Sequence, residues 1–193
     1  EFAIRGSKQR HNLELDLFGG EPLMNIPVVK YIVDYVRQRE KETGKNIKLT
    51  LTTNGTLLTD EIVKYLNDNR VMLVLSLDGS KKTHDHMRPY PGHVGSYDAA
   101  VKGFRKVIES RHGKNYYLRG TYTHYNPHFC DDVLAMLDVG SEISMEPVVG
   151  TTEPWVLTEE DWPILDQEYE KLARAYLAKK RAGEPFDFFH FNV

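Results

Sequence analysis

The sequence predicts an α/β fold in which parallel strands alternate with crossover helices. Short β-rich runs are each followed by a segment with helical periodicity, and this alternation is typical of βαβ units. The chain has 193 residues, of which 40% are hydrophobic and 27% charged, so it is long enough to bury one sizeable core. We therefore expect residues 1–193 to form one domain or most of one.

Five strands and five helices can be placed by pattern. The predicted strands are Leu13–Phe18, Ile47–Thr53, Val71–Leu77, Tyr116–Thr123 and Glu142–Val148. The predicted helices are Ile26–Thr43, Asp60–Asn69, Tyr97–Arg111, Phe129–Asp138 and Glu159–Arg181. In the first helix the period of 3.6 predicts a buried face of Val28, Ile32, Tyr35 and Val36.

Composition excludes several classes of function. The net charge is -3 and the charges of both signs are interspersed, so no basic block exists that nucleic acid would require. The sequence has neither an apolar run of the roughly 20 residues that span a bilayer nor a signal-peptide pattern, which predicts a cytoplasmic protein without membrane contact. The single cysteine, Cys130, excludes an internal disulfide and a cysteine-only metal or cluster site made by this chain alone.

A glycine-rich motif follows the first predicted strand, in the region where α/β barrels carry their chemistry. It reads Gly19-Gly20-Glu21-Pro22. Two residues without Cβ let a ligand approach the backbone, and the Glu21 carboxylate offers an acceptor for an amine. An ordinary strand-to-helix turn remains an equal alternative on composition alone.

Polar signatures also follow the second and third strands. The second strand ends in Asn54-Gly55, which taken singly is a common turn. After the third strand, the period of two places Ser76 and Asp78 on the same side, which suggests a ligand rich in hydroxyl groups.

The order of these motifs resembles the radical S-adenosylmethionine (SAM) superfamily. Gly-Gly-Glu-Pro, Thr-Asn-Gly and Ser-Leu-Asp-Gly, the last followed by His84-Asp85 and Arg88, are similar to its SPASM/twitch branch, whose members carry an additional C-terminal cluster domain. The later stretches are similar to one subgroup, the SCIFF maturases of small six-cysteine peptides. These stretches are Arg119–Thr123, Glu146–Val149 and Phe188–Phe191.

The resemblance implies a partial (β/α)6 TIM-like barrel that is truncated in this chain. Residues 1–193 would be the central part of the core domain, including the start of a bridge, without the first strand and the C-terminal auxiliary-cluster domain. The family's Cys-x3-Cys-x2-Cys loop is absent, so this chain alone is expected to be inactive. The [4Fe–4S] cluster or clusters of the enzyme would have their ligands in other parts of a full-length protein. We expect no metal ligand among the residues of this chain.

The resemblance also implies an S-adenosylmethionine site. Gly19, Gly20 and Glu21 would receive the methionine amino group, with Asn54 nearby. The ribose hydroxyls or methionyl carboxylate would be bound by Ser76, with Asp78 as the second candidate for this role. Arg119 would pair with the carboxylate, and the region of Val148 would face the adenine.

The activity that the resemblance implies is peptide maturation. A full enzyme would form thioether bonds from a cysteine sulfur to another residue's α-carbon in a small Cys-rich precursor peptide, with an electron donor such as flavodoxin or ferredoxin. Two alternatives stay open: a sulfatase-type maturase that forms formylglycine, and a non-catalytic peptide-binding barrel. A metal site at His84-Asp85-His86 is disfavoured, because adjacent side chains point apart and no third ligand is evident.

Overall fold

The computed structural model describes residues 1–192, so Val193 of the expected domain lies outside the described residues. Six parallel strands form one sheet in chain order, with each strand paired to the next. They are β1 Asn12–Leu17, β2 Asn46–Thr53, β3 Val71–Ser76, β4 Tyr116–Tyr122, β5 Glu142–Pro147 and β6 Asp187–Phe188. This sequential parallel order confirms the predicted α/β partial barrel.

Within residues 1–192, one helix precedes β1 and six further helices lie between the strands. They are α1 Phe2–Gly6, α2 Ile26–Thr43, α3 Asp60–Asp68, α4 Lys81–Met87, α5 Tyr97–Ser110, α6 Phe129–Met136 and α7 Trp162–Arg181, with short 3-10 helices at Pro22–Asn25 and Phe189–Phe191. None of the helices within residues 1–192 combines the length and apolar character needed to span a membrane.

The expected start of α7 at Glu159 is wrong, because the residues before Trp162 form a separate turn. The Asp161 carboxylate accepts hydrogen bonds from the backbone N–H and the hydroxyl of Thr158, at 2.7 Å and 3.1 Å. Proline stands in the first turn of the helix, where its missing N–H costs nothing. The helix therefore begins three residues later than the acidic run suggested.

The two faces of the sheet differ in polarity. The outward side chains, such as Leu49, Leu73 and Leu118, are fully buried against the helices and form the core. The alternating side chains face the concave side, where Thr50 and Arg119 are among the residues that line a cavity of about 440 Å³. The helices therefore cover the outer face of the sheet, and polar groups of the concave face line the cavity.

Helix α2 buries a different stripe from the predicted one. Val29, Val33 and Val36 are buried, whereas Val28 and Tyr35 are 48% and 36% exposed, so the prediction for these two residues is wrong. Residues 29, 33 and 36 also follow the helical period, and the face they form is shifted by one residue from the predicted face. The sequence offers two apolar stripes, and packing against the sheet selects the one made of valines.

Candidate active site at the carboxyl ends of the strands

The Glu21 side chain joins the motifs that follow β1 and β2. Its Oε1 accepts hydrogen bonds from the Leu23 N–H at 3.0 Å and the Thr53 hydroxyl at 2.9 Å, and its Oε2 accepts one from the Asn54 N–H at 2.7 Å. The predicted juxtaposition of these two motifs is therefore present in the fold. The carboxylate fixes the geometry of both loops, and its Oε2 keeps one further acceptor position.

The backbone around Gly19 and Gly20 is open. A Cβ built on either residue would meet no atom within 4 Å, so space exists for a ligand to approach both peptide groups. Asn54, at the end of the neighbouring strand, is half-buried, and its Oδ1 accepts hydrogen bonds from the Thr56 N–H and hydroxyl at 3.0 Å and 2.9 Å. Asn54 thus shapes the wall of the site through its own turn.

Ser76 and Arg119 are register partners on β3 and β4. Ser76 is 8% exposed, whereas Arg119 is exposed on the concave face. Within residues 1–192, neither the Ser76 hydroxyl nor the Arg119 guanidinium has a hydrogen-bond partner, and Arg119 has no salt-bridge partner. A planar guanidinium with unused donors beside a hydroxyl is suited to binding a carboxylate.

Asp78 is engaged by the protein itself. It is 2% exposed, and its carboxylate accepts two hydrogen bonds from Arg88, at 2.6 Å and 3.0 Å, and one from the Thr121 N–H at 3.0 Å. The ion pair closes the segment after β3 on itself, and the hydrogen bond from the Thr121 N–H joins that segment to β4 at the mouth of the barrel. Asp78 therefore orders the wall of the site rather than presenting a free carboxylate to it.

His84 completes the same network from α4. The ring is 1% exposed; its Nδ1 accepts from the Asp78 N–H at 3.4 Å, and its Nε2 lies 3.2 Å from the Ser96 hydroxyl. The Ser96 hydroxyl donates to the Arg88 carbonyl at 2.6 Å, so it accepts from His84. The neutral Nε2–H tautomer of His84 satisfies both contacts of the ring.

The three side chains of the His84-Asp85-His86 motif have different partners. The Asp85 carboxylate accepts a hydrogen bond from the Tyr97 N–H, and the His86 ring packs edge-on against Tyr125.

A pH-dependent stability is expected from this buried imidazole. Burial lowers the pKa of His84 below its ordinary value of 6.5, so the unfolded chain binds this proton more readily than the folded chain. The contribution of neutral His84 to the free energy of unfolding is fully present above pH 6.5. It is lost as pH falls from there toward the lower folded-state pKa of His84. Urea unfolding of wild type and His84→Gln between pH 5 and 8, about 1.5 units on either side of this value, measures the difference.

The control for this prediction is His11→Gln, because His11 is an exposed residue. We expect His84→Gln to flatten the decline of unfolding free energy at acid pH, and His11→Gln to leave it unchanged. Identical slopes in wild type and His84→Gln would show that the imidazole carries no linked proton.

A second cavity of about 540 Å³ lies where β3, β4 and β5 end. Val148 is half-buried at its wall, and its N–H donates to the Tyr122 carbonyl at 3.0 Å, which extends the β4–β5 pairing by one residue. Tyr125 and Trp155 contribute aromatic surface to the same cavity. An apolar wall with aromatic rings is suited to a flat heterocycle or to peptide side chains.

Cys130 lies away from these groups, on α6. It is fully buried, and burial raises the pKa of its thiol to about 11. The thiol is therefore protonated at neutral pH and packs as a small apolar group. Within residues 1–192, no group of three or more His, Cys, Asp or Glu side chains is arranged to hold a metal ion.

Comparison with known families identifies the superfamily. The model of the radical SAM superfamily matches residues 8–124, which is more than half of the chain. The chain belongs to the radical SAM superfamily. Enzymes of this superfamily use S-adenosylmethionine and [4Fe–4S] clusters, and the matched residues include the motifs after β1, β2 and β3.

Two curated relatives illustrate the range of proteins to which the chain is similar. A serine-type anaerobic sulfatase-maturating enzyme from Bacteroides thetaiotaomicron is 28% identical over 111 residues, which are 58% of this chain and 26% of that protein. An AdoMet-dependent heme synthase from Methanosarcina barkeri is 40% identical over 95 residues, 48% of this chain and 25% of that protein. The matched region thus spans about a quarter of each relative.

A solved structure shares the fold along nearly the whole chain. The structure described as native anSMEcpe with bound AdoMet and Cp18Cys peptide superposes with a TM-score of 0.82 at 15% sequence identity. The match covers 99% of this chain and 54% of that one. The likeness confirms the partial barrel.

Proposed function

We propose that this chain is the S-adenosylmethionine-holding part of a radical SAM enzyme that forms thioether crosslinks in a small cysteine-rich precursor peptide. The observation that carries the cofactor assignment is the Arg119 guanidinium, which has no partner within residues 1–192 and stands beside Ser76 on the concave face. The open backbone at Gly19 and Gly20 supports the same assignment from β1.

The donor and acceptor groups of the site match those of the cofactor. S-adenosylmethionine carries an amino group, a carboxylate, a ribose diol and an adenine. Backbone carbonyls of Gly19 and Gly20, with the free acceptor position of Glu21 Oε2, would bind the amino group, and Arg119 would pair with the carboxylate. Ser76 would hydrogen-bond the ribose, and the wall near Val148 would face the adenine.

Two further residues act by positioning the site. Asn54 shapes the turn that Glu21 holds, and Asp78 orders the mouth through Arg88. When bound, the cofactor and a reduced [4Fe–4S] cluster supply hydrogen-atom abstraction from the substrate. The protein's part is to fix the reacting groups in register and to keep water away.

The peptide substrate is proposed from the late motifs and the family context. Glu146–Val149 and Phe188–Phe191 are similar to the SCIFF maturases, and relatives of the chain include sulfatase-maturating enzymes, whose names specify protein maturation. An electron donor such as flavodoxin or ferredoxin would reduce the cluster, whose ligands would lie in other parts of the full enzyme. Formylglycine formation is the second candidate function, favoured by the matches to sulfatase-maturating enzymes.

Mass spectrometry of a reacted peptide separates these functions. The full-length reconstituted enzyme is incubated anaerobically with S-adenosylmethionine, a reductant and a synthetic six-cysteine peptide. Thioether formation removes hydrogens and keeps every sulfur, whereas formylglycine formation replaces a cysteine sulfur by a carbonyl oxygen. Loss of sulfur would favour the second candidate, and an unmodified peptide would contradict thioether crosslinking as the function.

The role of Ser76 gives a separate prediction. Ser76→Ala removes one hydroxyl from the concave face, so we expect the Kd for S-adenosylmethionine to rise about five- to tenfold, since a hydrogen bond contributes about 1 to 1.4 kcal/mol. The fold should be unaffected, because Ser76 is a register partner of Arg119 through its backbone and its hydroxyl makes no hydrogen bond within residues 1–192. Isothermal titration of the reconstituted enzyme measures the change. Thr151→Ala, at an exposed loop residue, is the control, and equal Kd values for Ser76→Ala and wild type would remove Ser76 from the site.

A further inference from the structure

The two late motifs meet at a hydrogen bond between Glu146 and His190. Glu146 Oε2 lies 3.3 Å from His190 Nε2, and Glu146 Oε1 accepts a hydrogen bond from the Ser144 hydroxyl at 2.6 Å. Ile143 and Met145 are buried in the core, so the alternation of β5 places Ser144 and Glu146 on the concave face. A carboxylate thus stands at the carboxyl end of β5, on the face proposed to bind the cofactor.

The register of the sheet relates Glu146 to the cofactor-binding groups. Ser144 pairs with Arg119, and Glu146 pairs with Thr121, two positions nearer the mouth. The Glu146 side chain is 29% exposed, so a ligand in the barrel can reach it. A substrate entering from the mouth would therefore meet Glu146 before it reached Arg119.

His190 is held rigidly behind this carboxylate. Its Nδ1 lies 3.2 Å from the Tyr169 hydroxyl, which lies 3.3 Å from the Tyr122 hydroxyl. Tyr122 is 4% exposed and stacks on Phe129 with ring centroids 4.6 Å apart. Because both ring nitrogens of His190 are engaged, the imidazole orients Glu146 and keeps no free nitrogen for a substrate.

The surroundings keep Glu146 ionised. Burial would raise its pKa, but the Ser144 hydroxyl, His190 and the positive charge of Arg119 outweigh burial and hold the pKa below the ordinary glutamate value. These groups come from β5 itself, from the 3-10 helix after β6, and from β4. An ionised carboxylate with part of its surface exposed has the form needed to accept a proton.

We propose that Glu146 is the proton acceptor for the substrate thiol, with His190 as its positioning residue. The inference rests on the proposed function, because it requires a cysteine-containing peptide at the mouth. In the step, the S–H bond of a peptide cysteine breaks, the proton moves to a carboxylate oxygen of Glu146, and the electron pair stays on sulfur as the thiolate. A thioether bond needs this proton to leave, since the sulfur gains a carbon and loses its hydrogen.

Glu146→Gln tests the acceptor in the full-length reconstituted enzyme. With a synthetic six-cysteine peptide, we expect kcat for crosslinking to fall about 100-fold, the low end for loss of a general base. Formation of 5′-deoxyadenosine without peptide and the peptide Kd, from titration without reductant, should stay within about threefold of wild type, because both precede thiol deprotonation. Glu142→Gln, at the amino end of the same strand, is the matched control and should retain wild-type kcat.

Two further variants separate catalysis from structural tethering. Glu146→Asp keeps the acid and should be at least about tenfold faster than Glu146→Gln, even if both variants lose stability. His190→Gln removes the imidazole that helps to hold the pKa of Glu146 down, so the acid limb of the pH–rate profile should move to higher pH. A purely structural tether would give equal rates for the Asp and Gln variants and an unmoved limb.

The outcomes distinguish this inference from the proposed function. If wild type crosslinks the peptide and Glu146→Gln does so at the same rate, the proton acceptor is another group, although the function stands. If wild type leaves the peptide unmodified while it still cleaves S-adenosylmethionine, the proposed function fails and the inference fails with it. A 100-fold loss in Glu146→Gln with rescue by Glu146→Asp supports both.

Discussion

Asp78→Ala is expected to lower the free energy of unfolding by about 2 to 3 kcal/mol, because it leaves a buried ion pair without its anion. The Asp78 side chain is 3% exposed and that of Arg88 is 36% exposed, so we place the cost below the roughly 3 to 5 kcal/mol of a fully buried pair. The Thr121 N–H also loses its acceptor. Urea unfolding at neutral pH measures the change.

Asp78→Ala should also loosen the backbone at the mouth of the barrel. Without Asp78, Arg88 at the end of α4 loses its partner and the segment after β3 loses its hydrogen bond to β4, so we expect faster amide hydrogen exchange through α4. Asp98→Ala is the matched control, because Asp98 pairs with Lys81 on the surface, where both side chains are more than half exposed. The control should cost less than about 1 kcal/mol, and equal costs for the two variants would contradict a buried, organising role for Asp78.

Gly103→Ala is expected to destabilise the fold by about 2 kcal/mol. A Cβ at residue 103 would lie 2.1 Å from the carbonyl oxygen of Gly55, and backbone cannot move aside as a flexible side chain can. Overpacking of this kind costs about 3 kcal/mol, from which the gain of about 1 kcal/mol in helix propensity is subtracted. Thermal unfolding should show a lower Tm. The backbone of the loop with Asn54-Gly55 should move away from α5.

Gly6→Ala controls for the change of residue type. Gly6 also lies in a helix, α1, but a Cβ there meets no atom within 4 Å. We expect Gly6→Ala to be neutral or slightly stabilising. Should Gly103→Ala match it in Tm, the close approach of α5 to the loop after β2 would not be a real constraint on packing.

The sequence predicted the strands and the concentration of polar motifs at their carboxyl ends, because both depend on local patterns. Alternation of apolar residues located β2 and β3 within one or two residues, and glycine with polar residues marked the loops after them. The two-residue strand β6 and the short α4 were missed. Elements this short carry too few periodic positions to be recognised.

The pairings between distant side chains were not predictable from pattern. Glu146 and His190 are 44 residues apart, and the Asp78–Arg88 pair depends on how the segment after β3 folds back. The sequence alone marked Asp78 as a candidate cofactor ligand, and it placed Glu146 and His190 only in two separate stretches. Only the fold, which brings β5 and the residues after β6 together, shows that Glu146 faces the concave side with a histidine behind it.

The most direct test of the account is a calorimetric titration of S-adenosylmethionine into full-length reconstituted enzyme carrying Arg119→Ala. A charge-assisted pair with the cofactor carboxylate is worth about 1.5 to 3 kcal/mol, so Kd should rise about 10- to 100-fold. Arg174→Ala, which removes an exposed guanidinium on α7, should bind as wild type does. A Kd for Arg119→Ala within twofold of wild type would contradict the proposal that this concave face binds the cofactor.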